Sequence, residues 1–400
     1  MVRAIRVVLI VACAVASWTA WAADWPQFLG PEATGIAPDT GINKDWTARP
    51  PAELWRMELS DDGYAGPSVA GGLLFIIDRQ GNQDVVRAMD LNTGAQVWAY
   101  AYDDPGGANY GYARSTPVFS EGRLYTLSRN ALLHCLDAET GEMIWAIDLR
   151  TEFGGQKPTW DYAISPLIDG EKVIVCPGGQ TGCVALNKET GETIWAGGNG
   201  GLPGYATPVA AELGGLRQYV IFAGKELYGV DAETGRSLWS IPWETEYDVN
   251  APTPIVADGY VFITSGYNRG CALVQVTGDG AEIFWENKEI SSHFNSPIFY
   301  KGFIFGISDP GNLVCLTPST GQPAWKNRGF EKGGIVCVDD VIIAVNGSGG
   351  DVVMVAADAS GYSELGRIKP LSGQHWTAPI LADGKLIVRN KQALVCLDLM

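Results

Sequence analysis

The feature that most constrains this chain is a unit repeated along nearly its whole length, seen in Leu136-Asp137-Ala138-Glu139-Thr140-Gly141-Glu142-Met143-Ile144-Trp145. An apolar run ends in Asp, a Thr-Gly turn follows, and a Trp stands eight residues after the Asp. The unit reads as a β-hairpin: Gly141 supplies a positive-φ position, Asp137 and Thr140 bond the turn backbone, and Trp145 lies on the outgoing strand. One hairpin cannot bury its own apolar face, so such units must stack. The end of the incoming strand recurs at Asp90, Asp137, Asn187, Asp231, Thr277, Thr317, Ala357 and Asp398. The outgoing strands carry Trp98, Trp145, Trp195, Trp239, Trp285 and Trp325, with Leu365 in the seventh. Trp55 has no Asp half before it, and Asp398 has no Trp half after it. The two orphan halves complete each other and close a ring.

Each unit also opens with a short strand that begins near a Pro (Pro67, Pro117, Pro166, Pro208, Pro254, Pro297, Pro379; Ile335 in one), followed by a second strand such as Arg123 to Ser128. Four short strands in eight units predict an all-β fold over residues 53–400. It is an eight-bladed β-propeller of four-stranded antiparallel blades, the last built from both termini. The turn around Thr277 is degraded and the seventh unit lacks both Pro and Trp, so these two blades are expected to be the least regular.

Residues 1–22 read as a signal peptide: Arg3 and Arg6 precede an apolar stretch from Val7 to Ala16, and Ala20-Trp21-Ala22 fits a cleavage site. Ile10-Val11-Ala12-Cys13 resembles a lipobox, which makes lipid anchoring an alternative. The expected location is the periplasm or outside the cell, with no transmembrane segment in the remainder. Residues 23–52 carry several Pro and Gly and no periodicity, and are expected to form an irregular arm whose aromatics dock on the body. Removing Arg3 and Arg6 takes the formal charge from −17 to −19, because residues 1–22 hold no Asp or Glu. Such acidity excludes nucleic acid and anionic membrane as partners. A monomer is expected.

Cys135, Cys315 and Cys396 occupy the place that Ala88, Ala185 and Gly229 fill in other units, and read as small core residues. Cys176 and Cys183 bracket a glycine-rich loop and could form a disulfide across a hairpin. No Cys or His spacing points to zinc, and no metal site is expected.

The repeat apolar-Asp-x-x-Thr-Gly-x-x-x-Trp, as in Val230-Asp231-Ala232-Glu233-Thr234-Gly235-Arg236-Ser237-Leu238-Trp239, resembles the PQQ-like (pyrroloquinoline-quinone) repeat family. The resemblance covers about residues 53–400. It implies that the Trp packs between blades and that Asp and Gly shape the turn. The family includes quinone-dependent alcohol dehydrogenases and BamB-like scaffolds of outer-membrane protein assembly. Its dehydrogenases hold PQQ with a vicinal Cys-Cys disulfide, calcium ligands and a catalytic Asp. This chain has no adjacent Cys pair and lacks their large insertions.

Function in a propeller belongs to the face opposite the Thr-Gly turns. The loops leading into the inner strands carry Tyr64, Tyr112, Arg114, Trp160, Asp161, Tyr162, Tyr205, Asn250, His293, Phe294, Asn295, His375 and Trp376. Aromatics with a few polar anchors suit a ligand or peptide site. Loops between second and third strands add Arg79, Arg129, Lys225, Arg269, Arg389 and Lys391, a basic set that would attract an acidic peptide or small anion. No nucleophile–base arrangement is visible. The expected function is a non-enzymatic envelope or secreted scaffold that binds a protein or small anionic ligand without cofactor. The alternative is a PQQ-dependent oxidoreductase with calcium, for which Asp161 is the nearest acid or base.

Overall fold

The computed structural model describes residues 23–400 apart from Asp61 and Asn109. Eight four-stranded sheets follow one another around a ring. Blade one runs Ser68–Ala70, Leu73–Gln80, Gln83–Asp90 and Gln96–Asp103 from the axis outward. Blade eight takes Ile380–Ala382, Lys385–Arg389 and Ala393–Asp398 from the C-terminus and Ala52–Glu58 from the other end of the chain. Closure by both ends is therefore as the orphan half-units require. Among the described residues a single five-residue α-helix, Leu149–Phe153, interrupts the β structure; Asp148 caps its first N–H groups. No helix among the described residues is long and apolar enough to cross a membrane.

The repeated turn does what its residues suggest. The Asp137 carboxylate accepts from the backbone N–H groups of Glu139 and Thr140 (3.0 and 2.8 Å) and from the Thr140 hydroxyl. Gly141 takes φ 76°. Every third-to-fourth strand pairing then carries a register shift, such as that between Cys135 and Leu136. The extra residue twists the outer strand and leaves each Trp opposite a small residue in six blades: Ala88, Cys135, Ala185, Gly229, Cys315 and Cys396.

Six of the seven tryptophans then reach the next blade, Trp325 through Asp358 O (2.7 Å). The indole N–H groups of Trp55, Trp98, Trp145, Trp195 and Trp285 donate to the carbonyls of Leu91, Ala138, Lys188, Ala232 and Pro318 at 2.7–3.2 Å. Their rings lie flat on Gly94, Gly141, Gly191, Gly235 and Gly321, where a Cβ would come within about 3 Å of the indole. Glycine thus serves the turn and the seam together.

The two units with degraded sequence are complete four-stranded blades, and what they lose is the seam. In blade five the register equivalent of the Asp is Gln275, and the hairpin runs on to Thr277 before closing. Trp239 therefore bonds Gln218 of its own blade (2.6 Å). In blade seven the register puts Gly366, not Leu365, at the tryptophan position, opposite Met354, and the third strand ends at Ala356.

The arm fills that vacancy. Trp46, 3% exposed, packs on Gly366, and its indole N–H donates to Asn43 O. The Asn43 N–H donates to Leu399 O at 2.6 Å, the carbonyl a blade-seven Trp would otherwise reach. Upstream, Trp25 exchanges both backbone hydrogen bonds with Val69 of blade one, Pro26 O accepts from Phe119 of blade two, and Gly35 and Ala37 flank Cys337 of blade seven. Asp24, Asp39 and Lys44 bind the first turns of blades one, eight and seven through Gly71, Gly384 and Asp339. Because strand direction alternates, those turns share a face with the Thr-Gly turns. The arm crosses that face and closes the axial channel beneath Trp25, Phe28 and Leu29.

Replacing Trp46 with Ala leaves the seam open. The expected loss is about 3 kcal/mol in urea unfolding, whereas Trp→Phe should recover most of it. An unchanged midpoint for Trp46→Ala would show that the arm does not seal the ring.

Candidate functional site

Five of the eight inner strands begin at Ser/Thr-Pro steps (Thr116, Ser165, Thr207, Thr253 and Ser296), and these lock neighbouring blades together at the open face. Thr116 N–H donates to Ser165 Oγ (2.9 Å), Ser165 N–H to Thr207 Oγ1 (3.1 Å) and Thr253 N–H to Ser296 Oγ (2.9 Å). Proline following each hydroxyl has no N–H to place. Above this collar the entering loops, joined by Tyr267 from the loop between the second and third strands of blade five, carry a relay of rings. Tyr110 meets Trp160 edge-on (5.2 Å between centroids), Trp160 meets Tyr247 (6.4 Å), and Tyr247 meets Tyr267 (5.5 Å). Tyr267 lies on His293 (4.6 Å), His293 on Phe294 (5.2 Å), Phe294 on Trp376 (5.1 Å), and Trp376 stacks on Tyr64 (5.2 Å). Gly111, the residue after Tyr110, packs against Tyr64.

The relay surrounds a cavity of about 320 Å³ whose floor is the arm. Eight of the residues expected from sequence line it: Tyr64, Arg114, Trp160, Tyr205, His293, Phe294, Asn295 and Trp376. Among the described residues its lining contains no Asp or Glu, but it does contain Arg114 and Lys332. Arg114 Nη2 donates to the Tyr110 and Gly111 carbonyls (both 3.1 Å), while its buried Nη1 has no protein partner. Burial pulls the Arg114 pKa down, against the nearby Asp161. The His293 ring approaches Asp309 at 3.2 Å.

The other expected residues are spent inside the wall. Arg79 binds Asp84 (3.1 Å) and Asp104 (2.9 Å) beneath the Tyr112 ring, and Arg129 binds Asp104 (2.5 Å) and Asp161 (3.3 Å). Asp161 also holds Lys157 at 2.5 Å, so it is a structural anion. Burial and Asp104 push the Asp84 carboxyl up to about 7, against the pull of Arg79 and Arg129. Arg269 pairs with Glu286 and covers Trp243; Arg389 holds the carbonyls of Gly63 and Ala65; Lys391 pairs with Asp62. The basic set therefore makes no free patch, although Lys225 stays exposed. Asn250 ties together Ala223, Gly224 and Trp243, and Tyr162 bonds Pro177 O (2.6 Å). His375 sits fully buried under Gly350, away from the cavity, so the equivalence of His293 and His375 in sequence does not bring them to one site. Tyr110, Tyr247, Tyr267, Lys332 and the arm residues Trp25, Phe28 and Leu29 were not expected there. Their loops vary in length, and no repeat position marks them.

A closed eight-bladed ring whose site is built from loops opposite the repeat turns is a PQQ-like repeat propeller. The chain belongs to the family described as outer membrane protein assembly factor BamB, whose model matches residues 82–327. It is 23% identical over 328 residues to the outer membrane protein assembly factor BamB of Yersinia pestis, covering 74% of this chain and 76% of that protein. The crystal structure of BamB from Moraxella catarrhalis superimposes with a TM-score of 0.66 at 19% identity, over 87% of this chain and 99% of that one. Quinohemoprotein alcohol dehydrogenase from Comamonas testosteroni superimposes at 0.69 with 14% identity, over 94% of this chain and 80% of that one. These structural likenesses concern the fold.

The quinone-and-calcium alternative can be tested on the donor set. Calcium takes several oxygen ligands, carboxylates foremost. Among the described residues the cavity wall offers no carboxylate, Asp161 is already bound by two cations, and no group of three or more His, Cys, Asp or Glu is placed to share a metal ion. The residues do not fit a calcium-held quinone.

His134, on the third strand of blade two, lies between Tyr100 and Tyr102, and burial lowers its pKa from 6.5 to about 4. Below pH 6.5 the unfolded chain takes up a proton that the folded chain refuses, so stability is lost as pH falls toward 4. Relative to His134→Leu, the native protein should lose about 2 kcal/mol between pH 7 and pH 5 in urea titrations. Asp84 titrates in the opposite sense in both proteins and cancels. Parallel stability–pH curves would contradict a neutral buried His134.

Proposed function

We propose that this chain is a non-enzymatic scaffold of the cell envelope. It presents its open loop face to a partner polypeptide and uses the central cavity as the anchor point. The observation that carries this reading is the mouth itself: an aromatic relay around a cavity whose fixed charges are cationic. Aromatic rims supply large contact area at low entropic cost, and a wall without carboxylates favours a segment that pairs an apolar side chain with a carboxylate. Family membership supports the same class of role. Residues 1–22, read as a signal peptide, would deliver the protein to the periplasm or the exterior, where it acts as a monomer without cofactor.

Photo-crosslinking residues placed at Tyr110 and Tyr247, both more than half exposed on the rim, should capture one identified envelope protein. The same residue at Met143 on the outer edge should not. Arg114→Gln should weaken that capture at least about tenfold, the effect of one charge-assisted hydrogen bond, at a temperature where the variant is still fully folded by circular dichroism. Crosslinks that concentrate at Met143, or capture indifferent to Arg114, would refute the reading. Addition of pyrroloquinoline quinone and calcium should leave no bound chromophore and no dye reduction with alcohols; a red-shifted bound chromophore would restore the oxidoreductase alternative.

A further inference from the structure

Seven cysteines lie among the described residues, all buried and all free thiols. Strand register decides which of them could meet. Cys135, Cys315 and Cys396 each face a Trp on one side, and Tyr125, Phe305 and Ile387 respectively on the other. Cys271 faces Thr264 and Asn287, and Cys337 faces Ile342. None of these five stands opposite another sulfur.

Blade three is different. Its second and third strands pair Lys172 with Asn187 through to Val175 with Val184, and beyond them Gly178 bridges Thr181. The register is the same on both sides of the gap, so Cys176 stands directly opposite Cys183. Directly opposed side chains of antiparallel strands leave the same face, with Cβ atoms about 4.5–5.5 Å apart, a small shift from the roughly 3.5–4.5 Å of a disulfide.

We propose that Cys176 and Cys183 form a cross-strand disulfide when the chain folds in an oxidising compartment. One thiolate attacks the disulfide of an oxidant, either a small-molecule disulfide or a disulfide-bearing oxidoreductase. This gives a mixed disulfide and releases one thiol of the oxidant. The second cysteine sulfur then displaces the other oxidant sulfur. The protein gains one S–S bond, the oxidant is reduced to two thiols, and those thiols carry the two protons the cysteines lose. Both sulfurs are at most 1% exposed in the folded ring. Exchange therefore precedes burial of the hairpin, and the finished bond is shielded from reductants.

The staple sits where it affects the binding face. Pro177 O, one residue past Cys176, accepts from the Tyr162 hydroxyl, and Gly179 exchanges two 2.8 Å backbone hydrogen bonds with Gly201 of the loop entering blade four. Tying Cys176 to Cys183 fixes the support under the Trp160–Tyr162 loop, which is blade three's share of the aromatic relay.

The proposal rests on the envelope location for its relevance in the cell, but not for its chemistry, so the test separates the two. The denatured, reduced full chain is refolded in glutathione buffer of extracellular composition, then denatured again with N-ethylmaleimide and mapped by mass spectrometry. The expected map has Cys176 and Cys183 linked to each other and unmodified, with Cys135, Cys271, Cys315, Cys337 and Cys396 alkylated. Full alkylation of Cys176 and Cys183, or their linkage to any other cysteine, would overturn the proposal. Protein linked after refolding but fully alkylated when isolated directly from cells would leave the disulfide chemistry standing and place the chain in a reducing compartment instead.

Discussion

The ring depends on one contact, made at five of its eight seams: a tryptophan of one blade seated on a glycine of the next. A large indole gains most from burial when it lies flat, and a flat seat requires a neighbour without Cβ. The Thr-Gly turn already needs a residue at positive φ. One glycine therefore satisfies both demands, and the indole N–H finds a carbonyl in the same turn. Turn geometry and blade packing are coupled, so neither Gly141 nor Trp98 can change alone. A Cβ at Gly141 would stand 2.5 Å from the Trp98 ring.

The seams that depart from this arrangement show how strict it is. Where blade five extends its hairpin, the glycine seat is lost and Trp239 turns to Gln218 within its own blade. Where blade seven has glycine in place of Trp, the arm carries a tryptophan in from outside the repeat and satisfies the same Leu399 carbonyl through Asn43. In a closed ring each blade is supported from both sides, so an unsealed seam would weaken blades seven and eight together. The arm is thus the missing part of a repeat as well as the floor of the channel.

Ring size, closure and strand order were legible in the sequence because each blade is written in local spacing: Asp, Thr-Gly and Trp fall within about ten residues. The one-residue error at Leu365 arose because the register shift before each Trp is set by pairing, and a blade without Trp gives no marker for it. Aromatic residues at the mouth were partly legible, since the loops before each Pro could be located. Their electrostatics were not. Arg79 and Arg129 look like free loop cations until Asp104, 25 residues from each, folds between them. The arm's destination was also hidden, because its contacts with Val69, Cys337 and Leu399 follow no period.

The two faces divide the work. Turns on the arm side are held in a repeated geometry by the seams, which leaves little freedom for a site there. The loops on the other side are constrained chiefly at the Ser/Thr-Pro collar, and above it they differ freely. The charge of the cavity follows from where the acids are put. Asp84, Asp104 and Asp161 are drawn into the wall by Arg79, Arg129 and Lys157, so they neutralise one another there and leave the lining to Arg114 and Lys332. Acidic side chains on the outer surface act through water and salt, where the screening length is about 8 Å. They cannot cancel two cations inside an aromatic-walled cavity. A strongly acidic protein can therefore hold a cationic pocket at its centre, and the excess of acid elsewhere does not weaken it.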